Sequence, residues 1–240
     1  MNAIGIVAAL GAEARTLRGA RRVRDPSARL APGEHVLVSG IGPRAASLAA
    51  RSLADAGADA LVSWGTAGGL DPALRPGTLL LPCEILADGG DRYCVDPAWR
   101  AREIERLAPQ PAVLRFGAVA DGALLSSAAA IADREAKQLA HRQSGAVAVD
   151  MESAAVAAVA ADRRLPLLVV RAIVDGAGDE IPPAIVEASR AGPIRASRLI
   201  GGLLRSPAEL GAMLRLAGRF AAARATLRVV AAAGLAAPSP

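Results

Sequence analysis

The sequence predicts an α/β fold: a single-domain, three-layer α/β/α arrangement with a central mixed sheet and a C-terminal helical extension. Short, nearly continuous apolar runs alternate with stretches of helical spacing through residues 1–180. Runs of that kind belong to strands covered on both faces, as in a sheet held between helical layers. The alternation stops near Pro182, and only helical patterns follow.

Strands are expected at Ala3–Leu10, His35–Ile41, Ala60–Thr66, Thr78–Ile85, Arg115–Asp121, Ala146–Met151 and Leu167–Val174. Between them, Pro43–Ala56 has apolar residues at helical spacing and stops before Gly57, a C-cap signal. Ser127–His141 and Glu152–Arg164 are further helices, the latter ended by Pro166. Beyond the 1–180 core, the extension over 181–240 packs on the same domain as helices Pro193–Leu204 and Pro207–Ala233, each opening on a first-turn proline.

The chain has 240 residues, 52% of them apolar, enough for one large core. Aromatic residues make up 2%, so Ala, Val, Leu and Ile must build that core. Lys137 is the only lysine among 28 basic residues, which leaves 27 arginines. The net charge of +5 and the pI near 10.4 would attract anions. Without lysine clusters or stacking aromatics, nucleic acid is not an expected partner. Cys83 and Cys94 form no CxxC and have no histidine cluster nearby, so neither a metal site nor a disulfide is expected. Ala3–Ala12 is apolar but lacks a preceding basic region, and no apolar run approaches the ~20 residues that span a bilayer. The expected location is the cytoplasm.

Four constellations carry chemistry. Gly65-Thr66-Ala67-Gly68-Gly69 leaves a strand, where glycines make a turn or let N–H groups approach an anion or a sugar hydroxyl. It matches neither a P-loop nor GxGxxG. Asp150-Met151-Glu152 brings two acids and a thioether to a helix start. A carboxylate there caps the helix, or Glu152 holds a cis-diol with its two oxygens, above the apolar Met151. Asp175 closes the strand Val170-Arg171-Ala172-Ile173-Val174, at the carboxyl end where α/β sheets place ligands. It is a loop acid or, with its pKa raised by burial, a proton donor. Glu13 is a first-turn acid after the first strand.

Taken along the chain, from Ile4–Glu13 through Ser39-Gly40-Ile41-Gly42 and Gly65–Gly69 to Asp150–Glu152 and Arg171–Asp175, the motifs resemble the purine nucleoside phosphorylase and nucleosidase superfamily in order and spacing. The stretch from Ser63 to Gly77, with Gly145–Ser153, Ile181-Pro182-Pro183-Ala184, Leu203–Pro207 and Leu214–Ala217, is similar to the hopanoid-associated phosphorylases. The resemblance implies a nucleoside phosphorylase-like fold and release of adenine from adenosylhopane by phosphorolysis. Inorganic phosphate would be the co-substrate, with no other cofactor and no metal. It implies Asp175 as proton donor to the purine N7, Glu13 as activator of water, and Met151 and Glu152 at the ribose. Gly65, Thr66, Ala67 and Gly68 would cradle phosphate or water, with Arg44 or Arg15 as the phosphate's cation. Ala123, Leu124, Ile173 and Val174 would flank the base. A homo-oligomer is expected. So is peripheral contact with the inner membrane through Arg215, Arg219, Arg224 and Arg228, unless that helix only packs on the core. Two alternatives stay open: a hydrolytic nucleosidase acting on methylthioadenosine or adenosylhomocysteine, and a non-catalytic nucleoside sensor.

Overall fold

A computed structural model describes residues 3–17, 19–23, 25, 29–115, 117, 119–181, 207–236 and 238. Its strands are β1 (Ala3–Ala8), β2 (Arg21–Arg22), β3 (Gly33–Val38), β4 (Ala60–Gly69), β5 (Leu79–Leu80), β6 (Glu84–Ala87), β7 (Arg92–Cys94), β8 (Ala123–Ser126), β9 (Ala148–Asp150) and β10 (Leu167–Asp175). The helices are α1 (Gly11–Ala14), α2 (Pro43–Asp55), α3 (Pro97–Leu107), α4 (Pro111–Leu114), α5 (Arg134–Ser144), α6 (Ser153–Arg163) and α7 (Pro207–Ala233).

All strands join one sheet in the order β2-β3-β1-β4-β9-β8-β6-β7, with β10 on the other edge of β4 and β5 beside β10. The sheet is mixed. β3, β1, β4 and β10 run parallel, whereas β9 meets β4, and β7 meets β6, antiparallel. Period-two alternation separates the two cores. Ile6, Val62, Leu168 and Val170 face one side, where Trp99 and Leu107 of α3 and Ala223, Leu227 and Val230 of α7 cover them. Their neighbours Val7, Leu61 and Val169 face the other, beneath Ala50 and Leu53 of α2 and Val156 and Ala160 of α6. The predicted three-layer α/β/α fold is therefore the observed one.

Several elements differ from expectation. Among the described residues of Arg115–Asp121, none belongs to a strand. Pro111 starts the helical turn α4, Arg115 is its C-cap, and Ala120 alone bridges to Leu80. Gly117 and Gly122, at φ of 113° and 125°, break the extended run, so the strand β8 starts only at Ala123. Thr78–Ile85 is split at Pro82 into β5 and β6, because proline cannot donate to a ladder. The helix expected from Ser127 begins at Arg134, where the Asp133 carboxylate accepts the Ala136 N–H at 2.7 Å. The unpredicted elements include the short β2 and α4, the β6–β7 hairpin, turning at Asp88-Gly89-Gly90-Asp91, and α3, capped by Asp96 with Pro97 in its first turn. The hairpin and α3 carry ordinary sequence signals.

The helix expected over Pro193–Leu204 lies outside the described residues. α7 rests on β10, and Arg219 pairs with Asp179 while Arg224 stacks over Phe220. Arg215 and Arg228 are exposed. Among the described residues, no helix is long and apolar enough to cross a membrane.

Candidate active site

The site forms at a break in the sheet. β10 covers one edge of β4 from Leu61 to Gly68. On the other edge β1 pairs with Ala60 to Trp64 and stops at Ala8, while β9, running the opposite way, pairs only with Gly68 and Gly69. The edge from Gly65 to Ala67 is left without a strand. The carboxyl ends of β1 and β9 both point into that gap, and each delivers an acid.

From β1, the α1 turn brings Glu13 to the free edge. Its Oε1 accepts the Thr66 N–H at 2.9 Å and the Thr66 hydroxyl at 2.8 Å, and its Oε2 accepts the Leu10 N–H at 3.0 Å. The carboxylate thus takes a ladder bond that β1 would otherwise have made. A side chain on Gly65 would place a Cβ only 2.9 Å from Oε1, so glycine is needed there for close approach. From β9, Glu152 accepts the Gly42 N–H at 2.7 Å, which ties the start of α2 to the site.

Behind both acids lies Arg171, in the middle of β10 and 2% exposed. Its Nε and Nη2 donate to Asp150 Oδ2 at 2.9 and 2.6 Å. Nη2 also donates to Ser63 Oγ at 2.6 Å and Ser153 Oγ at 2.9 Å, and Nη1 to the Val170 carbonyl at 3.1 Å. Glu13, Gly65, Thr66, Glu152 and Arg171 line a recess with Val7, Ala9 and Trp64. Its enclosed part has room for about one water molecule.

Three carboxylates, Glu13, Asp150 and Glu152, share this one guanidinium. Burial pushes the Glu13 carboxyl up, against its Thr66 hydrogen bond and the attraction of Arg171. Burial, then repulsion from Asp150, pushes Glu152 up to about 7. An acid poised near neutrality can take up or release a proton during a reaction.

Residues 3–205 match the phosphorylase superfamily. The chain belongs to that superfamily. It is 27% identical over 190 residues to the 5'-methylthioadenosine/S-adenosylhomocysteine nucleosidase of Tolumonas auensis, covering 70% of this chain and 79% of the relative. Its fold is similar to that of Helicobacter pylori futalosine hydrolase, with a TM-score of 0.71 and 18% identity over 97% of this chain and 96% of that one. The Neisseria meningitidis 5'-methylthioadenosine/S-adenosylhomocysteine nucleosidase, in complex with methylthio-immucillin-A, gives a TM-score of 0.68 and 20% identity, covering 96% and 98%. This superfamily member is a nucleoside-cleaving enzyme.

Of the residues expected at the site of this phosphorylase-superfamily enzyme, Glu13, Gly65, Thr66 and Glu152 meet at the recess. Met151 is half-buried between Asp150 and Glu152. Asp175 lies further along β4, its Oδ2 3.2 Å from where a Cβ on Gly68 would stand. A bulge sets it there: Ile173 pairs with Ala67 and Asp175 with Gly68, leaving Val174 as the extra residue. Burial pushes the Asp175 carboxyl up, opposed by the Lys137 ammonium beside it.

The four residues expected around the base do not share one surface. Leu124 and Ile173 are fully buried in the core under α2 and α6, together with Ala67. Val174 belongs to the core on the opposite face, and half-buried Ala123 packs beside Leu125 and Val149. Each pair is consecutive in a strand, and alternation turns consecutive side chains to opposite faces. Arg15 and Arg44 are exposed and do not line the recess. Arg171, Asp150 and Ser63 escaped assignment, although an arginine inside a continuous apolar strand is itself a signal, since a buried charge demands a partner.

The raised pKa of Glu152 has a measurable consequence. A carboxyl whose folded pKa lies above its unfolded value stabilises the fold below about pH 4.5, and that contribution is lost as the pH rises through 7. The shift corresponds to at most about 3 kcal/mol, less screening at the exposed edge. Glu152→Gln is therefore expected to raise stability to urea at pH 8 and leave it nearly unchanged at pH 4.5. An equal change at both pH values would contradict the assigned cause.

Proposed function

We propose that the protein hydrolyses the N-glycosidic bond of an adenine nucleoside of the methylthioadenosine or S-adenosylhomocysteine class. The observation that carries this reading is the recess beside Glu13, which has room for a water and is walled by two further acids, Glu152 directly and Asp150 through Arg171. A phosphate dianion would need uncommitted cations there. Among the described residues the cation at the recess is Arg171, already engaged by Asp150, whereas Arg44 and Arg15 are exposed and do not line it.

Glu13 takes a proton from the water as its oxygen bonds to C1′. The C1′–N9 bond breaks, its electron pair leaves with the base, and Asp175 supplies the proton to N7. Ionised Glu152 accepts hydrogen bonds from the ribose hydroxyls, with Met151 under the sugar. Thr66, near the water, and Gly68, near Asp175, are two residues apart on β4, about 7 Å in an extended strand. That spacing leaves room for the attacking water at one end and the purine N7 at the other, with C1′ between them.

The test is adenine release from methylthioadenosine, adenosylhomocysteine and adenosylhopane, each with and without phosphate. Turnover of the first two is expected to be equal in both conditions. Strict dependence on phosphate, with adenosylhopane preferred, would replace this reading by the hopanoid phosphorylase one. No release from any of them would favour a nucleoside sensor.

A further inference from the structure

The only lysine in a chain with 27 arginines is fully buried, and it sits against Asp175. Lys137 projects from α5 and forms an ion pair with Asp175 Oδ2. Its Nζ also donates to the Gly176 carbonyl at 3.0 Å and the Asp179 carbonyl at 2.8 Å. Three acceptors converging on one atom match the three donors of an ammonium group; a planar guanidinium fork cannot serve them from a single point. A composition that uses arginine everywhere else makes its exception where that geometry is required.

The surrounding loop is held in turn. Asp179 Oδ2 accepts the Gly176 N–H at 2.9 Å, and its Oδ1 accepts from Arg219 of α7 at 2.7 Å. Arg134 of α5 donates to the Gly178 carbonyl at 2.9 Å. The charged groups acting on Asp175 are thus Lys137 from α5, Asp179 from its own loop and Arg219 from α7.

We propose that Lys137 is a positioning residue for Asp175, fixing the carboxyl beside Gly68 and neutralising the carboxylate left when its proton passes to the base. This rests on the reading of Asp175 as proton donor. Lys137 keeps its own protons throughout: the O–H bond of Asp175 breaks, the N7–H bond forms, and the new negative charge faces an ammonium already in place. Burial alone would leave Asp175 protonated but reluctant to release its proton. With the ammonium beside it, the acid can let go.

The experiment is the pH dependence of kcat with methylthioadenosine for the wild type, Lys137→Met, Lys137→Arg and Asp175→Asn. An acid that must carry its proton gives a fall in kcat above its pKa. In Lys137→Met that fall is expected to move to higher pH by at least about one unit, with kcat below it reduced on the order of 10–100-fold, less than the roughly 10²–10⁴-fold lost when the acid itself is removed. Lys137→Arg keeps the charge but loses the three-way fit, and is expected not to restore the rate. A Lys137→Met enzyme with the wild-type rate and limb, or full rescue by arginine, would overturn the proposal. Wild-type turnover by Asp175→Asn would instead remove the proton-donor reading itself.

Should the Lys137 variants fail to fold, the wild type gives a direct readout, because ¹⁵N-lysine labelling yields one Nζ resonance. Saturation with adenine is expected to shift it. An unmoved resonance would overturn the proposal.

Discussion

Glu13→Gln is expected to lower kcat for nucleoside hydrolysis by about 10²–10⁴-fold, the range lost when a positioned general base is removed. Glutamine keeps one carbonyl oxygen, so either the Thr66 pair or the Leu10 N–H retains its acceptor. The other contact becomes amide facing donor, at a cost of about 1–3 kcal/mol for a buried unsatisfied group. The fold should survive that loss. Glu152 still holds Gly42, so substrate affinity is expected to change little. Steady-state kinetics with a urea titration of the same preparation check both halves. A folded Glu13→Gln enzyme within threefold of wild-type kcat would show that the water is activated elsewhere.

Arg171→Met is expected to show the largest loss of stability of any single change near the site. Its side chain is 3% exposed and that of Asp150 1%, so the substitution leaves a carboxylate buried without its countercharge. Breaking such a pair from one side costs about 3–5 kcal/mol. For a chain of this length that is on the order of 10 °C in Tm. Ser63 and Ser153 lose their common donor as well, although each still has the other at 3.2 Å. Removing both charges, in Arg171→Met/Asp150→Asn, should recover much of the loss. Thermal unfolding of the two single variants and the double variant measures the coupling. A single variant within 1 kcal/mol of wild type would mean that the pair holds little of the sheet together.

The parts of the fold that could be read from the sequence are those whose burial is written locally. β1, β4 and β10 are continuous apolar runs because helices cover both faces, and α2 and α6 repeat small apolar residues at helical spacing. Glu13 and Glu152 were also legible as candidates, since each lies within a few residues of a strand's carboxyl end. What could not be read is long-range. Lys137 and Asp175 are 38 residues apart, Arg171 and Ser63 are 108 apart, and no local pattern pairs them. The gap in the sheet is hidden for the same reason, because it depends on where β1 stops and where β9 joins β4 from the opposite direction. Local but overlooked were the Asp88-Gly89-Gly90-Asp91 turn and the Asp96-Pro97 cap, which short strands and an arginine-rich helix obscured.

The central claim is that water, activated by Glu13 in the gap of β4, attacks C1′. Its most direct test is ³¹P NMR of a methylthioadenosine reaction run to completion in phosphate buffer. The expected result is adenine equal to substrate consumed, a free reducing sugar, and a spectrum showing inorganic phosphate alone. A sugar 1-phosphate signal equal to the adenine released would contradict it.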